Sequence, residues 1–380
     1  MRLVPTDDAH RFHAVGALLR AGEPGWVAPP PGDLAAPFVH AGGQRWLLED
    51  GAGRPLGRIA AHAHAARGAR RPPPEPHEGA ASGGGSEAQA KEQGGLGYLE
   101  VVDDPDAARA LVEGAEGWLA QRGVRIVDGP IHFGERDRYW GCRVSGFDQP
   151  VVFQENGCPP HHARLLHLLG YRPRMQSLTF SVPLDAVPVA DLRQVVDAKV
   201  GARARFDPLD LGDLDAAAAA IHTVYRAAFA EGGRVRTMDQ AEIASGLARA
   251  RDILDPRMVW LATVDGRPAG VFASLPDLNQ PLRGLPRTRV KAFAFAVHPD
   301  LHAQGVAAGL ALHAQAGLRA VGGIDEVVLA GIGGHSARML GIAAWLGGRL
   351  LHQHVTFRRA LDGAPVEPLA MAEPLPEWLR

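Results

Sequence analysis

Residues Lys291 to Ile332 read KAFAFAVHPDLHAQGVAAGLALHAQAGLRAVGGIDEVVLAGI. An apolar run, a short polar stretch closing in small residues, a segment with apolar positions at helical spacing and a second apolar run describe a strand, a helix and another strand. Residues Leu96 to Ile131, LGYLEVVDDPDAARALVEGAEGWLAQRGVRIVDGPI, repeat the pattern in the first half of the chain. In that copy Leu111, Ala115, Trp118 and Leu119 fall on one helical face.

The repeat extends outward on both sides. RWLLEDGAGRPLGRIAAH (Arg45 to His62) and VWLATVDGRPAGVFASL (Val259 to Leu275) each read as two strands joined by a Gly-containing turn. HHARLLHLLGYRPRMQSLTFSVPL (His161 to Leu184) and HSARMLGIAAWLGGRLLHQHVTFRRAL (His335 to Leu361) each read as a helix ending near Gly, followed by a strand. The second copy opens at ARFDPLDLGDLDAAAAAIHTVYRAAF (Ala204 to Phe229), a strand and an Asp-capped helix. The expectation is an α/β protein of two similar domains, 1–184 and 204–361, with a linker at 185–203 and a Pro-rich surface tail at 362–380. Residues 66–95 carry almost no large apolar side chain and read as a flexible insert.

Composition limits the functions available. A chain of 380 residues with 46% apolar content suffices for two cores. Forty basic against 42 acidic side chains leave a net charge of −2, without the cationic surplus that nucleic acid would require. The start, MRLVPTDDAHRFHAV, lacks the pattern of a signal peptide, and no apolar run reaches the roughly 18 residues of a membrane span, so a cytoplasmic protein with no membrane partner is expected. Two cysteines, Cys142 and Cys158, are too few for a disulfide scaffold.

The motifs in their order, DDPDAARALVEGAEGWLAQRG (Asp103 to Gly123), GPIHFGERDRYWG (Gly129 to Gly141), LDPRMVWLATVDGRPAGVFASLPDLNQPL (Leu254 to Leu282) and HPDLHAQGVAAGL (His298 to Leu310), resemble a tandem-type group of the GCN5-related N-acetyltransferase (GNAT) superfamily. The resemblance implies two GNAT-like domains, each a mixed central sheet flanked by helices, the N-terminal one degenerate. It further implies an acyl-CoA, acetyl or longer, whose pyrophosphate lies on backbone amides where the fourth strand passes into its helix. Such a loop is an anion site at a helix N-terminus and tolerates small residues, not acids.

That requirement separates the copies. Asp103, Asp104, Pro105 and Asp106 put three carboxylates and a residue without an N–H at the relevant point of the first. The second has His302, Ala303, Gln304, Gly305, Val306, Ala307 and Ala308, with His302 where the family usually has Arg or Gln. The resemblance adds Phe295, Ala296 and Val297 on the fourth strand and Ser336 before the next helix as cofactor contacts, with a backbone N–H of Ala296 or Val297 polarising the thioester. The family's usual tyrosine acid is replaced by Ala343. Asp277 and Asn279 stand as candidate catalytic groups or as turn residues. Tyr225 and Phe229, one helical turn apart, are candidates for the acceptor wall. Glu135, Arg136, Arg138, Tyr139 and Trp140 form either a substrate-reading patch or a self-satisfied cluster. His298 and His302 are four apart but interrupted by Pro299 and lack a third ligand, so no metal is expected. His161, His162, His167, His352 and His354 read as core or surface histidines. The preferred function is an acyl-CoA-dependent N-acyltransferase acting on an amine of a small molecule or peptide. The alternatives are a non-catalytic acyl-CoA or metabolite-binding protein and an aminoacyl-tRNA-dependent transferase.

Overall fold

The computed structural model describes residues 1–23, 26–28, 43–63, 92–132, 139–229 and 238–379. The first repeat runs β1 (Arg2–Pro5), α1 (Ala9–Leu19), β2 (Gly43–Glu49), β3 (Pro55–Ala63), β4 (Gln93–Val101), α2 (Pro105–Ala120), β5 (Ile126–Gly129), β6 (Cys142–Ser145), α3 (Pro160–Leu168) and β7 (Arg172–Pro183). After α4 (Val189–Lys199), the second runs β8 (Ala204–Pro208), α5 (Leu214–Phe229), α6 (Gln240–Ala250), β9 (Val259–Val264), β10 (Arg267–Pro276), α7 (Asn279–Leu282), β11 (Arg289–Val297), α8 (Val306–Val321), β12 (Glu326–Gly333), α9 (Ala337–Trp345) and β13 (Arg349–Ala360). The α/β class and the duplicated element order are those expected from the sequence.

Local chemistry fixes these elements. The β9–β10 turn is Asp265-Gly266, both at positive φ (50° and 75°), the pair a two-residue hairpin turn favours. Helix α5 is capped by Asp213, whose Oδ1 accepts from the Ala216 amide at 2.9 Å. In α2 the predicted apolar face is buried at Leu111, Ala115 and Leu119, and Trp118 packs on its margin. Burying each leucine side chain contributes about 2 kcal/mol.

The chain packs as two compact units, and they do not follow sequence order. One comprises Met1–Thr179, Gly331–Ala337 and Leu351–Arg380; the other comprises Phe180–Ala330 and Arg338–Leu350. The last strand of the second repeat, from Leu351 on, is thus counted with the first repeat's unit, whereas β7 stays with its own as far as Thr179 and only its end, from Phe180, falls in the other. In the first, β13 pairs antiparallel with β5, Phe357 opposite Gly129, and with β6, Val355 opposite Cys142. In the second, the end of β7 is tied in by Leu184, whose N–H donates to Asp325 O at 2.8 Å. The Gln315 amide donates to Leu184 O at 3.1 Å in the same unit. Two stretches gain detail. The stretch 185–203 contains an ordered helix, α4, rather than a plain linker. The tail 362–379 is mostly exposed, and its last described residue, Leu379, 3% exposed, packs on the first unit's core. The insert 66–95 lies outside the described residues through Lys91, and from Gln93 it forms the start of β4.

Candidate functional site

In the second unit β11 and β12 run parallel and pair only from Arg289–Glu326 to Ala292–Leu329, while β11 continues to Val297. At that point the β10–β11 register shifts: Ala273 faces Ala294 and Ser274 faces Ala292, leaving Phe293 as the bulged residue, 45% exposed. The Tyr225 hydroxyl donates to Phe293 O at 3.2 Å, and the Tyr225 and Phe229 rings lie 4.9 Å apart. Tyr225 therefore reaches the bulge, with Phe229 packed on it. The His298 N–H donates to Ala269 O at 2.8 Å, turned toward β10. By strand alternation Phe295 and Val297 turn their N–H groups to the opposite edge, where the β12 ladder has ended.

The chain then enters α8 through a short turn at Pro299–Leu301, Ala303 at φ 61° and Gly305 at φ 88°. Gly305 is the N-cap and offers no side-chain bond. The first helical bond runs from Gly309 N–H to Gly305 O at 3.0 Å. The amides of Val306, Ala307 and Ala308 consequently have no intrahelical acceptor, and the helix's positive end is presented there. A side chain at Gly305 would be strained by its φ and would put a Cβ 3.2 Å from Lys199 Cβ and 3.3 Å from Val195 O.

Two cations that the sequence did not single out flank this loop. Lys199, the last residue of α4, donates to Ala303 O at 3.0 Å. Arg338, in the first turn of α9, places Nη1 3.3 Å from His302 Nε2. The same Nε2 lies 3.1 Å from Val297 O, so the imidazole braces the end of β11 against the loop. Lys199 was hidden in a presumed linker, and no sequence signal links Arg338 to a loop far behind it. Gln304 is turned back, its amide donating to Asp300 O at 2.7 Å. Ser336 is counted with the first unit, where its N–H donates to Gly333 O at 2.8 Å.

The first unit has the same strand geometry with a different filling. Its β4 and β5 pair in parallel from Gln93–Ile126 to Gly95–Asp128. Beyond that, Ile131 N–H donates to Leu96 O at 2.6 Å, and a Cβ on Gly97 would lie 2.4 Å from Ile131 O. Tyr98, 2% exposed, packs 4.0 Å from the His132 ring, which stacks on Tyr139 at 5.5 Å. Burial pushes the His132 imidazole down to about 3, with Arg58 adding to the effect. The helix start is closed by Asp104, which accepts from the Asp106 amide at 2.8 Å and the Ala107 amide at 3.3 Å.

Among the remaining candidates, Asp277 is 1% exposed, accepts from Asn279 N–H at 3.1 Å and lies 3.8 Å from Arg289. Its carboxylate shapes the turn into α7. Tyr139 is 6% exposed within the aromatic filling just described, Trp140 is half-buried, and Glu135, Arg136 and Arg138 lie outside the described residues. Ala343 is fully buried. Among the described residues no group of three or more His, Cys, Asp or Glu could hold a metal, and no helix is long and apolar enough to cross a membrane.

No family model matches the chain. It is 26% identical over 287 residues to a bacterial ceramide synthase of Caulobacter vibrioides, covering 72% of this chain and 69% of that protein. Among solved structures it is similar to a GCN5-related glucosamine N-acetyltransferase region of a fungal multi-domain β-N-acetylglucosaminidase. The TM-score is 0.57 at 12% identity, covering 94% of this chain but only 38% of that one. It is also similar to a tandem GNAT protein from the clavulanic acid biosynthesis pathway, with TM-score 0.54 and 15% identity over 96% of this chain and 99% of that one. The duplicated strand order, the parted central strands in each repeat and these likenesses agree: the chain has the tandem GCN5-related N-acetyltransferase fold.

Proposed function

We propose that the chain is an N-acyltransferase that takes an acyl group from an acyl-CoA and joins it to an amine, with the donor held by the second unit. The observation that carries this reading is the start of α8: a left-handed glycine cap, free first-turn amides and two flanking cations, Lys199 and Arg338. That combination suits a pyrophosphate, since the amides donate to its oxygens and the cations offset its charge. The N–H groups of Phe295 and Val297 are suited to receive the thioester oxygen as charge develops on it. The ceramide synthase relative supports a fatty acyl donor and a small-molecule amine, because a ceramide is an amide of a fatty acid.

A second reading, an acyl-CoA-binding protein without turnover, draws on the buried Ala343, which offers no phenol to protonate the departing thiolate. Calorimetry with acetyl-CoA and palmitoyl-CoA, followed by an assay for released thiol with a panel of amines, separates the two. Binding with thiol release supports the transferase, and binding without it supports the second reading. Failure to bind any CoA species sinks both. Lys199→Ala and Arg338→Ala are each expected to weaken CoA binding about tenfold, the scale of one hydrogen bond to a charged group.

A further inference from the structure

The connection between β10 and β11, within the second unit, holds apolar side chains in water. Its residues Leu282, Arg283, Gly284, Leu285, Pro286 and Arg287 are all exposed, Leu282 at 62% and Leu285 at 44%. Single apolar side chains scattered over a surface are ordinary. Among the described residues, however, no other two large exposed ones stand as close in sequence as these, three apart.

The loop is tied down. Gln280 staples its base: Nε2 donates to Thr288 Oγ1 at 3.1 Å, and Oε1 accepts from the amides of Thr288 at 3.1 Å and Arg289 at 3.0 Å. The backbone above is fixed as well, since Leu285 N–H donates to Gln280 O at 2.9 Å and Gly284 N–H to Pro281 O at 3.0 Å. Leucines ordered in this way add nothing to the core, and their burial can come only from a partner.

Charge and size point to the partner. Arg283 and Arg287 alternate with the leucines, and no acid occurs from 278 to 288. Arg289, just beyond, is matched by Glu326 at 2.6 Å and Asp277 at 3.8 Å, whereas among the described residues Arg283 and Arg287 have no such carboxylate. Six residues fall short of the ~800 Å² a side that a stable protein interface buries. They suffice for an interfacial anchor, in which apolar side chains enter the acyl region and cations meet the phosphates. Such an anchor lies on the bilayer and needs no spanning helix.

We propose that the loop at 282–287 docks the chain on an anionic phospholipid surface. The use of this docking rests on the N-acyltransferase reading. Strand β11 starts directly after the loop and ends at the donor's phosphate site, nine residues or about 30 Å away, with the exposed Phe293 between. A fatty chain that leaves the thioester near Phe295 and runs away from the phosphates heads for the docked end. The polyanionic head of the donor is thereby kept far from the anionic surface, and a long-chain amide product faces it.

The test is flotation of the full chain with vesicles of phosphatidylglycerol mixed with phosphatidylcholine. The chain is expected to float with them at about 0.1 M salt, and more weakly at about 1 M salt, where charges are screened. It is also expected to float more weakly with phosphatidylcholine alone. Leu282→Ser with Leu285→Ser, and separately Arg283→Gln with Arg287→Gln, are each expected to lower partitioning by about tenfold or more. Melting temperature and acetyl-CoA binding are expected to hold in both, since all four side chains are exposed. In the wild type, hydrogen exchange of peptides covering 278–288 is expected to slow when vesicles are added, a readout independent of the variants. Partitioning that the variants retain, equal partitioning into neutral vesicles, or protection gained elsewhere and not here overturns the inference. A wild type that transfers acyl groups and ignores vesicles does so too, and leaves the N-acyltransferase reading standing. Dimers in sedimentation that the leucine substitutions abolish assign the loop to a second copy and overturn the lipid surface. Vesicle binding through the loop by a chain that takes up no acyl-CoA keeps the docking and sinks the N-acyltransferase reading.

Discussion

Asp104 and Gly305 stand at the same place in the two repeats, the N-cap of the helix that follows the long parted strand, and they prepare opposite ends. Asp104 fills its helix's first amides with its own carboxylate, and Pro105 removes one donor altogether. Gly305 fills none, and its left-handed backbone turns the chain so that Val306, Ala307 and Ala308 present their N–H groups outward. The strands behave alike up to this point, since each parallel pair ends before its first strand does. One copy then closes the gap with Tyr98, His132 and Tyr139, whereas the other leaves Phe293 exposed at the bulge. The same fold thus closes its helix start with its own side chain in one unit and leaves the first-turn amides without a side-chain partner in the other.

The sharpest way to break this contrast is to make the second junction resemble the first. Ala307 lies half-exposed in the first turn of α8, where a glutamate suits the helix dipole and should leave the fold intact. It would also set a carboxylate where the pyrophosphate is expected. Ala307→Glu should therefore weaken CoA binding by about 100-fold or more, a cost of about 3 kcal/mol, while the melting temperature holds or rises. Calorimetry paired with a thermal scan reads both. Unchanged affinity would mean that the α8 start is a helix cap and nothing more.

The next contrast is in acid. In the first unit burial drives imidazoles down, His132 to about 3 and His13 and His354 to about 4, with His162 also well below its ordinary value of 6.5. A histidine neutral in the fold and protonated in the unfolded chain favours folding above about pH 6.5 and loses that contribution as pH falls toward its folded value. The first unit should therefore weaken steeply between about pH 6.5 and pH 4. In the second unit burial lowers the half-buried His313 as well, but it has no comparable set among the described residues. Hydrogen exchange followed peptide by peptide should show protection lost first in β3, β4 and β13. Equal loss in β9, β10 and α8 would refute the difference.

Much of this could be read from the chain before any coordinates. Strand and helix periodicity, the Asp-Gly turn and the repeat itself carry the fold because they are local patterns. The difference between the Gly305 and Asp104 junctions was legible because the repeat set the two side by side. What escaped were facts of packing. The pairing of β13 with β5 and β6 of the first repeat leaves no trace in spacing, since a strand reads the same whichever neighbour it finds. Lys199 and Arg338 approach Ala303 and His302 only through the docking of α4 and α9. The contact between His352 and Glu155 joins residues 197 positions apart. Asp277 had the right residue type for a catalytic group, and its burial beside Asn279 and Arg289 is a fact of packing that spacing does not carry.

The smallest expected effect is the most specific test of what the first junction is for. Asp104→Ala removes the side chain that caps α2 and leaves the amides of Asp106 and Ala107 unmet, which should cost about 1 kcal/mol of stability. If the acidic cap were all that keeps the first copy from holding a donor, the substitution would also open a second site. It should not, because Asp103 and Asp106 remain beside the helix start, and Ile131 and Tyr98 still fill the space where the strands part. The expected result is a slightly lower melting temperature with one CoA bound per chain, the number expected for the wild type too. A second equivalent in the titration would show that the carboxylate, and not the filled split, is what separates the two copies.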